Sequence, residues 1–287
     1  MDVTVFDPRP CALGEGPLWH PERQQLFWFD IVGCKLLTRD AKGPQEWRFD
    51  RHVSAAGWVD RDTLLVATQT DLITLNLETG AQTPLCPLEA ENPVTRSNDG
   101  RADPWGGFWI GTMGINAEAG AGAIYRYYRG ALRQLFTDIT ISNAICFAPD
   151  ASYAMFTDTV TGIVHRQPLD PETGWPNGAP RVFLDHGPDG PSPDGAVIDA
   201  QGIFWCAEWG SSRVRGYAPD GSVVADVLLP VSQPSCPAFG GADLSDLYVT
   251  TARIDLTPDA LAQEPLAGQV LLAKGLGKGQ REHRVIL

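Results

Sequence analysis

A pattern that recurs along the chain constrains the fold more than any other feature of the sequence. When four of its copies are aligned on the turn that follows, an oxygen-bearing side chain lies six residues before that turn in every copy. We call these side chains the register residues: Glu15, Asn98, Asn143 and Asp194. The turn positions used for the alignment are Pro21, Pro104, Pro149 and Ala200. Any proposed fold must explain why polar side chains recur at one position of a repeat.

The spacing of the apolar runs gives the number of repeats. A short apolar run returns at intervals of roughly 40 to 50 residues, at positions 26–29, 64–66, 108–110, 154–156, 204–206 and 247–249. Each run is followed by further short alternating runs separated by turn residues, which indicates four strands per repeat. Six such units, repeated radially, predict an all-β, six-bladed β-propeller that occupies residues 1–287 as a single domain. The alternative fold, a β-sandwich, does not explain why polar side chains recur at one position of the repeat.

A ring of blades has to close, because an open ring would leave unpaired strand edges at its two ends. The chain begins with an alternating stretch at 3–6 and ends with another at 283–286. We therefore predict that the N-terminal strand completes the last blade by pairing with a strand near 283–286.

Charge and cysteine content exclude several classes of function. The net charge of −13 disfavours nucleic acid and anionic membranes as partners, since both require a basic surface. The six cysteines form no C-x-x-C pair, which favours free thiols in a reducing compartment. With no apolar run of membrane-spanning length, this predicts a cytoplasmic protein without a membrane segment. No feature of the sequence indicates an obligate protein partner.

Propeller geometry predicts where the register residues meet. The first strand of each blade lines the central channel, so equivalent positions on these strands converge near one mouth. The loops after the second strands surround the same mouth, and the glycine- and alanine-rich segment 114–120 is the longest of them. Asp158, Glu208 and Arg253 belong to these loops, and we expect them to favour a hydroxylated substrate.

Two carboxylates and two carboxamides at one mouth suit a hard divalent cation, which prefers oxygen ligands. The alternative is that each of these side chains only bonds neighbouring backbone amides at the start of a strand. Four such residues at one converging position favour the cation. The sequence contains none of the G-x-S-x-G, H-E-x-x-H, Walker or Rossmann motifs.

Five ordered motifs resemble the senescence marker protein/gluconolactonase (regucalcin-like) family. They occupy residues 14–17, 96–100, 111–113, 141–143 and 193–195, and the segment 261–268 resembles the bacterial pentonolactonases of that family. The resemblance implies that Glu15, Asn143 and Asp194 bind the metal, and that Arg96 and Asn98 bind the substrate. Some members have a substrate-binding glutamate three residues after the methionine of the third motif. This chain has Asn116 there and Glu118 two residues later, and both are candidate substrate-binding residues. Ala144 stands where the family usually has glycine.

The sequence therefore predicts a hydrolase of cyclic carboxylic esters that converts a sugar-acid lactone to the free aldonic acid in carbohydrate catabolism. The expected cofactor is one divalent ion (Ca²⁺, Zn²⁺, Mn²⁺ or Fe²⁺), the expected partner is a small-molecule sugar lactone, and Asp194 is the candidate general base. Two alternatives use the same metal centre. One is a calcium-binding regulatory propeller, and the other is a phosphotriesterase or aryl esterase.

Overall fold

The computed structural model describes residues 2–187 and 189–287, and in these residues 24 strands form six antiparallel sheets of four strands each. The chain begins with β1 (Val3–Asp7). Blade 1 contains β2 (Gly14–His20), β3 (Gln25–Asp30), β4 (Lys35–Asp40) and β5 (Gly43–Arg48), and blade 2 contains β6 (Val53–Asp60), β7 (Thr63–Thr68), β8 (Asp71–Asn76) and β9 (Gln82–Pro87). Blade 3 contains β10 (Thr95–Ala102), β11 (Phe108–Gly114), β12 (Gly122–Tyr128) and β13 (Ala131–Ile139).

The second half of the chain continues the same arrangement. Blade 4 contains β14 (Ser142–Phe147), β15 (Tyr153–Asp158), β16 (Ile163–Pro168) and β17 (Arg181–Asp185), and blade 5 contains β18 (Ser192–Ile198), β19 (Phe204–Trp209), β20 (Arg213–Tyr217) and β21 (Val223–Leu228). Blade 6 contains β22 (Pro234–Gly240), β23 (Asp246–Thr251) and β24 (Val270–Lys274), with β1 as its outer strand. The first strands of neighbouring blades contact one another around the central axis. The predicted six-bladed β-propeller is confirmed.

Apolar contacts between the faces of the blades form the core. Six apolar clusters are found among the described residues, and each lies between two neighbouring blades. Because both faces of a blade are covered, its second strand is an almost continuous apolar run, and every residue of β3 and of β11 is buried. Outer strands such as β5 and β9 are largely exposed and correspondingly polar.

Turn residues end the strands where the sequence predicts. After β8, the side-chain oxygen of Asn76 accepts hydrogen bonds from the backbone amides of Glu78 and Thr79 at 3.1 and 2.9 Å. Gly80 then takes a positive φ of 73°, a conformation that glycine adopts without steric cost. The chain therefore reverses direction within a few residues and returns as β9.

The N-terminal strand closes the ring as predicted, but the strand predicted to pair with it is wrong. β1 pairs antiparallel with β24, with Val3 opposite Ala273 and Val5 opposite Leu271. Residues 283–286 form no strand, because β24 already occupies the position next to β1.

The final segment, 275–287, crosses the inner ends of several blades. Gln280 donates to the carbonyls of Phe147 and Ile198 at 3.0 and 2.8 Å, and the amide of Val285 donates to the carbonyl of Trp58 at 2.9 Å. The buried Val285 side chain also joins the cluster between blades 2 and 3. The alternation of polar and apolar residues at 283–286 therefore reflects one buried side chain beneath the ring, not a strand.

Helical structure is confined to one 3₁₀ turn (Thr159–Thr161) and α1 (Pro258–Gln263) in the described part of the chain. The side chain of Thr257 caps α1 by accepting a hydrogen bond from the amide of Ala260 at 3.2 Å. Neither in 2–187 nor in 189–287 does a helix have the length and apolar character needed to cross a membrane. All six cysteines carry free thiols.

Candidate active site

A cavity of about 470 Å³ opens where the inner strands begin. Its lining comes from the starts of β2, β10, β14 and β18, from the ends of β11 and β19, and from the segments that follow β11, β15 and β23. The structure therefore brings the register residues together as the repeat predicts, and all of them line the cavity and are buried: Glu15, Asn98, Asn143 and Asp194.

A β-bulge accompanies each register residue. The pairing of β2 with β3 shifts between Glu15 and Leu18, and the pairing of β14 with β15 shifts between Asn143 and Cys146. The pairings of β10 with β11 and of β18 with β19 shift at the same place in their blades. A bulge re-aims the side chain next to it, which explains how these residues face the channel while their neighbours stay in the blade.

A chain of hydrogen bonds fixes the orientation of Asn143. Its side-chain amide donates to the hydroxyl oxygen of Thr159 at 2.8 Å, and that hydroxyl donates to the carbonyl of Pro193 at 2.8 Å. Its side-chain oxygen accepts from the amide of Asn98 at 3.2 Å. Because its NH₂ group points at Thr159, Asn143 presents an oxygen, the atom that a hard cation requires, toward the other register residues.

Asn98 makes more hydrogen bonds to other residues of the protein than the substrate-binding role implied by the resemblance would suggest. Its amide nitrogen donates to the carbonyl of Ser142 at 2.9 Å and to Asn143, and its side-chain oxygen accepts from Arg96 at 2.8 Å. An amide nitrogen has two hydrogens, so both are used. What Asn98 can still offer a ligand is a lone pair on its oxygen.

Arg96 is the buried cation of the cavity. Its Nη1 donates to the carbonyl of Ser97 at 2.9 Å and to Asn98. Among the described residues, its Nε and Nη2 have no protein partner, so these donors are available to a ligand in the cavity. Burial lowers the pKa of Arg96 to about 10, while the nearby Glu15 and Asp194 oppose that shift.

The two carboxyl groups of the cavity disfavour each other's ionisation. Burial, followed by the charge of Asp99, raises the pKa of Glu15 to about 8. Burial, followed by the charge of Glu15, raises the pKa of Asp194 well above its ordinary value. Burial also raises the pKa of Asp99 to about 6. When both are ionised, the carboxylates of Glu15 and Asp194 outnumber the single guanidinium of Arg96, and a divalent cation would neutralise the excess negative charge.

The donor set fits such a cation. Glu15 accepts one hydrogen bond, from the amide of Gly16 at 2.8 Å, and its carboxylate lines the cavity together with that of Asp194. In the two described stretches no three His, Cys, Asp or Glu side chains are grouped for metal binding. A metal site here therefore depends on the amide oxygen of Asn143 as its third protein ligand. Two carboxylates and one amide oxygen suit a hard cation that keeps water in its remaining positions.

The two residues that could replace the substrate-binding glutamate of the family differ in their position relative to the cavity. Asn116 lines the exposed rim of the cavity, whereas Glu118 does not line it. The carboxylate of Glu118 accepts from the backbone and side-chain amides of Asn116, both at 3.0 Å. The hydrogen bond from the Asn116 side chain lowers the pKa of Glu118. Glu118 therefore positions Asn116, which is the member of the pair on the cavity.

The expectation that Asp158, Glu208 and Arg253 surround the mouth is wrong, because none of the three lines the cavity. The carboxylate of Asp158 accepts from the backbone amides of Thr140 and Ile141 at 2.8 and 2.9 Å. Glu208 is buried within blade 5 and accepts from the hydroxyl of Tyr217 at 2.6 Å.

Apart from the register residues and Arg96, most residues that line the cavity are apolar, and sequence reasoning missed most of them. We call them the apolar collar: Leu13, Ile115, Ile141, Trp209 and Ile254. The sequence places Glu208 and Trp209 together at the mouth, and only Trp209 lines the cavity, whereas Ile254 is one residue beyond the predicted Arg253. Successive side chains of an extended chain point in opposite directions, so a shift of one residue exchanges a charged lining for an apolar one.

Known proteins resemble this chain over most of its length. The family model described as SMP-30/Gluconolactonase/LRE-like region matches residues 13–253. A putative sugar lactone lactonase of Rhizobium meliloti is 41% identical over 277 residues, which cover 93% of each chain. An L-arabinolactonase of Azospirillum brasilense is 37% identical, with 95% of this chain and 91% of that protein covered.

A solved structure shows that the likeness extends to three dimensions. The crystal structure of a calcium-binding protein, regucalcin, from Agrobacterium tumefaciens superposes with a TM-score of 0.96 and 38% identity. The superposition covers 99% of this chain and 97% of that one.

Proposed function

The chain belongs to the SMP-30/gluconolactonase/LRE-like family, and from this premise we propose that it hydrolyses a sugar-acid lactone to the free aldonic acid with the help of one divalent cation. Relatives named as sugar lactonases support lactone hydrolysis in sugar catabolism. One structural observation carries the finer part of the proposal. Two buried carboxylates, an oriented amide oxygen and a buried guanidinium converge on one cavity.

The proposed chemistry divides between the cation and the side chains of the cavity. Glu15, Asn143 and Asp194 would hold the cation, which would polarise the lactone carbonyl and lower the pKa of a nearby water. Asp194 would accept a proton as that water adds to the carbonyl carbon. The proton would then pass to the ring oxygen as the ester C–O bond breaks, which gives a carboxylic acid and a free hydroxyl.

Arg96 and the cavity rim would orient the substrate. The free Nε and Nη2 donors of Arg96 suit ring hydroxyls or the carbonyl oxygen, the remaining lone pair of Asn98 suits a hydroxyl, and Asn116 is available at the rim. The proposed partner is thus a small polar molecule. The net charge of −13 argues against nucleic acid or an anionic membrane, and the six free thiols support a reducing, cytoplasmic location.

A second candidate, calcium binding without catalysis, is favoured by one observation. The regucalcin structure that superposes on this chain is described as a calcium-binding protein. A regulator of that kind would retain Glu15, Asn143 and Asp194 but would have no need of a proton acceptor. Catalysis by Asp194 therefore separates the two functions.

The test compares two variants for aldonolactone hydrolysis, with metal content measured on the same samples. Asparagine keeps an oxygen at position 194 but does not accept a proton near neutral pH, so metal-loaded Asp194→Asn should lose about 10²–10⁴ in rate. Arg96→Ala removes a substrate contact, so KM should rise, alone or together with a fall in kcat, while bound metal is retained. A metal-loaded Asp194→Asn that works at the wild-type rate would rule out this base.

A further inference from the structure

The cavity has three levels that differ in burial and polarity. Its floor is polar, and every floor side chain is at most 7% exposed: Glu15, Arg96, Asn98, Asn143 and Asp194. Above it lies the apolar collar, whose five side chains are half-buried. The rim is exposed and includes Asn116 and Asp255. A ligand that reaches the floor therefore has its outer part against the collar.

The backbone amides of the four aliphatic collar residues are already occupied by hydrogen bonds within the protein. The amide of Ile115 donates to the carbonyl of Val94 at 2.8 Å, and the amide of Ile254 donates to the carbonyl of Ala12 at 2.9 Å. The amides of the other two aliphatic members are also used, since those of Leu13 and Ile141 donate to aspartate side chains at 3.1 and 2.9 Å. A hydroxyl placed at this level loses hydrogen bonds to water and gains none from these groups.

We propose that the substrate class is the deoxy-aldonolactones, whose exocyclic chain ends in a methyl group. This inference rests on the proposed lactone hydrolysis and adds the identity of the group that lies against the collar. The lactone carbonyl and ring hydroxyls meet the polar floor, and the terminal methyl group packs against Ile115, Ile254 and the ring of Trp209. A terminal hydroxymethyl group fits the same space but places its hydroxyl against the apolar side chains of Ile115 and Ile254.

The experiment uses matched hexono-1,4-lactones of the galacto and manno series, each in the 6-deoxy and the 6-hydroxy form. The two members of a pair differ only in the C6 hydroxyl. The ratio of their kcat/KM values therefore measures how strongly the site discriminates against that hydroxyl. Because an apolar pocket rejects an added hydroxyl by at most about 100-fold, we expect the 6-deoxy form to be favoured by about 10- to 100-fold.

Two collar variants test whether this preference arises where the structure indicates. Ile115→Thr and Ile254→Thr keep the branch at Cβ and add a hydroxyl, so each should shift the ratio toward the 6-hydroxy form. The matched control is Val32→Thr, which adds a hydroxyl at an exposed turn that does not line the cavity and should leave the ratio unchanged.

The outcomes separate this inference from the proposed function. If the 6-hydroxy lactones are hydrolysed as fast as or faster than the 6-deoxy forms, the proposed class is wrong and lactone hydrolysis stands. A 6-deoxy preference that neither collar variant alters would also overturn it. Failure to hydrolyse these four lactones while another aldonolactone is hydrolysed would overturn the proposed class alone. Failure with every aldonolactone, pentonolactones included, under metal-loaded conditions would contradict the proposed function itself.

Discussion

The side-chain amide of Asn98 donates to the side-chain oxygen of Asn143 at 3.2 Å, from blade 3 to blade 4. The two residues occupy the same position of the repeat, so this bond joins equivalent bulges of neighbouring blades. On the other side, Asn143 donates to Thr159. The orientation of one candidate ligand therefore depends on side chains that do not bind the cation themselves.

We predict that Thr159→Val weakens metal binding. Valine has the shape of threonine but accepts no hydrogen bond, so Asn143 would lose the group that fixes which of its ends faces the cavity. Loss of such an orienting partner typically costs about 10- to 100-fold in metal affinity. Calorimetric titration with the metal measures the effect. Thr161→Val, at an exposed position of the same turn, should retain wild-type affinity.

The stability of the metal-free protein should fall as the pH rises from 7 to 8. Burial holds the folded-state pKa of Glu15 at about 8, above the ordinary value of 4.5, so the folded chain binds more protons than the unfolded chain between these values. Stability from that proton is present at lower pH and is lost as the pH rises through about 8.

For one such proton the expected loss between pH 7 and 8 is about 1 kcal/mol of unfolding free energy. Urea unfolding in the presence of a chelator measures it at the two pH values. Glu15→Gln should show a smaller decrease because it cannot ionise. Equal or greater stability of the wild type at pH 8 would contradict the assignment.

Ala144→Gly should stabilise the protein. Ala144 has a φ of 58°, a left-handed conformation that costs an L-residue roughly 1–2 kcal/mol relative to glycine. The carboxylate of Asp99 maintains this bulge by accepting from the amide of Ile145 at 2.7 Å. Glycine loses more chain entropy on folding and gives up the buried methyl group of Ala144, so the net gain should be only about 0.5 kcal/mol. A melting temperature below that of the wild type would refute this account of the bulge.

Glu282→Ala should strongly destabilise the ring. Glu282 is paired with Arg101, and the two side chains are only 8% and 11% exposed. Removal of one partner leaves a buried charge uncompensated, which costs about 3 kcal/mol. Chemical unfolding measures the loss, with Glu91→Ala as the control at an exposed glutamate. An unfolding free energy within experimental error of the wild type would show that the final segment contributes little to stability.

The number of blades and the position of the register residues could be predicted from sequence because both depend on periodicity. Four strands per repeat follow from the spacing of apolar runs and turns. Convergence of Glu15 and Asp194 follows because equivalent positions of a closed ring face the same axis. Neither inference requires knowledge of a side-chain contact.

The remaining features depend on which way single side chains point. Residues 283–286 alternate like a strand, but β1 pairs with β24, and the segment lies beneath the ring instead. Glu208 belongs to the predicted loop, yet it points into blade 5 while Trp209 lines the cavity. The hydrogen bonds that occupy both amide hydrogens of Asn98 join it to residues 44 and 45 positions further along the chain, so local patterns carry no signal for them.

The central claim is metal-dependent hydrolysis of an aldonolactone, and its most direct test is the rate of the wild-type protein before and after metal removal. Proton release at constant pH follows the reaction for protein treated with a chelator and then supplied with Ca²⁺, Mn²⁺, Zn²⁺ or Fe²⁺. We predict a loss of at least about 100-fold on chelation and recovery with at least one of these ions. An undiminished rate in the chelator, or no hydrolysis of any aldonolactone with any of the four ions, would contradict the claim.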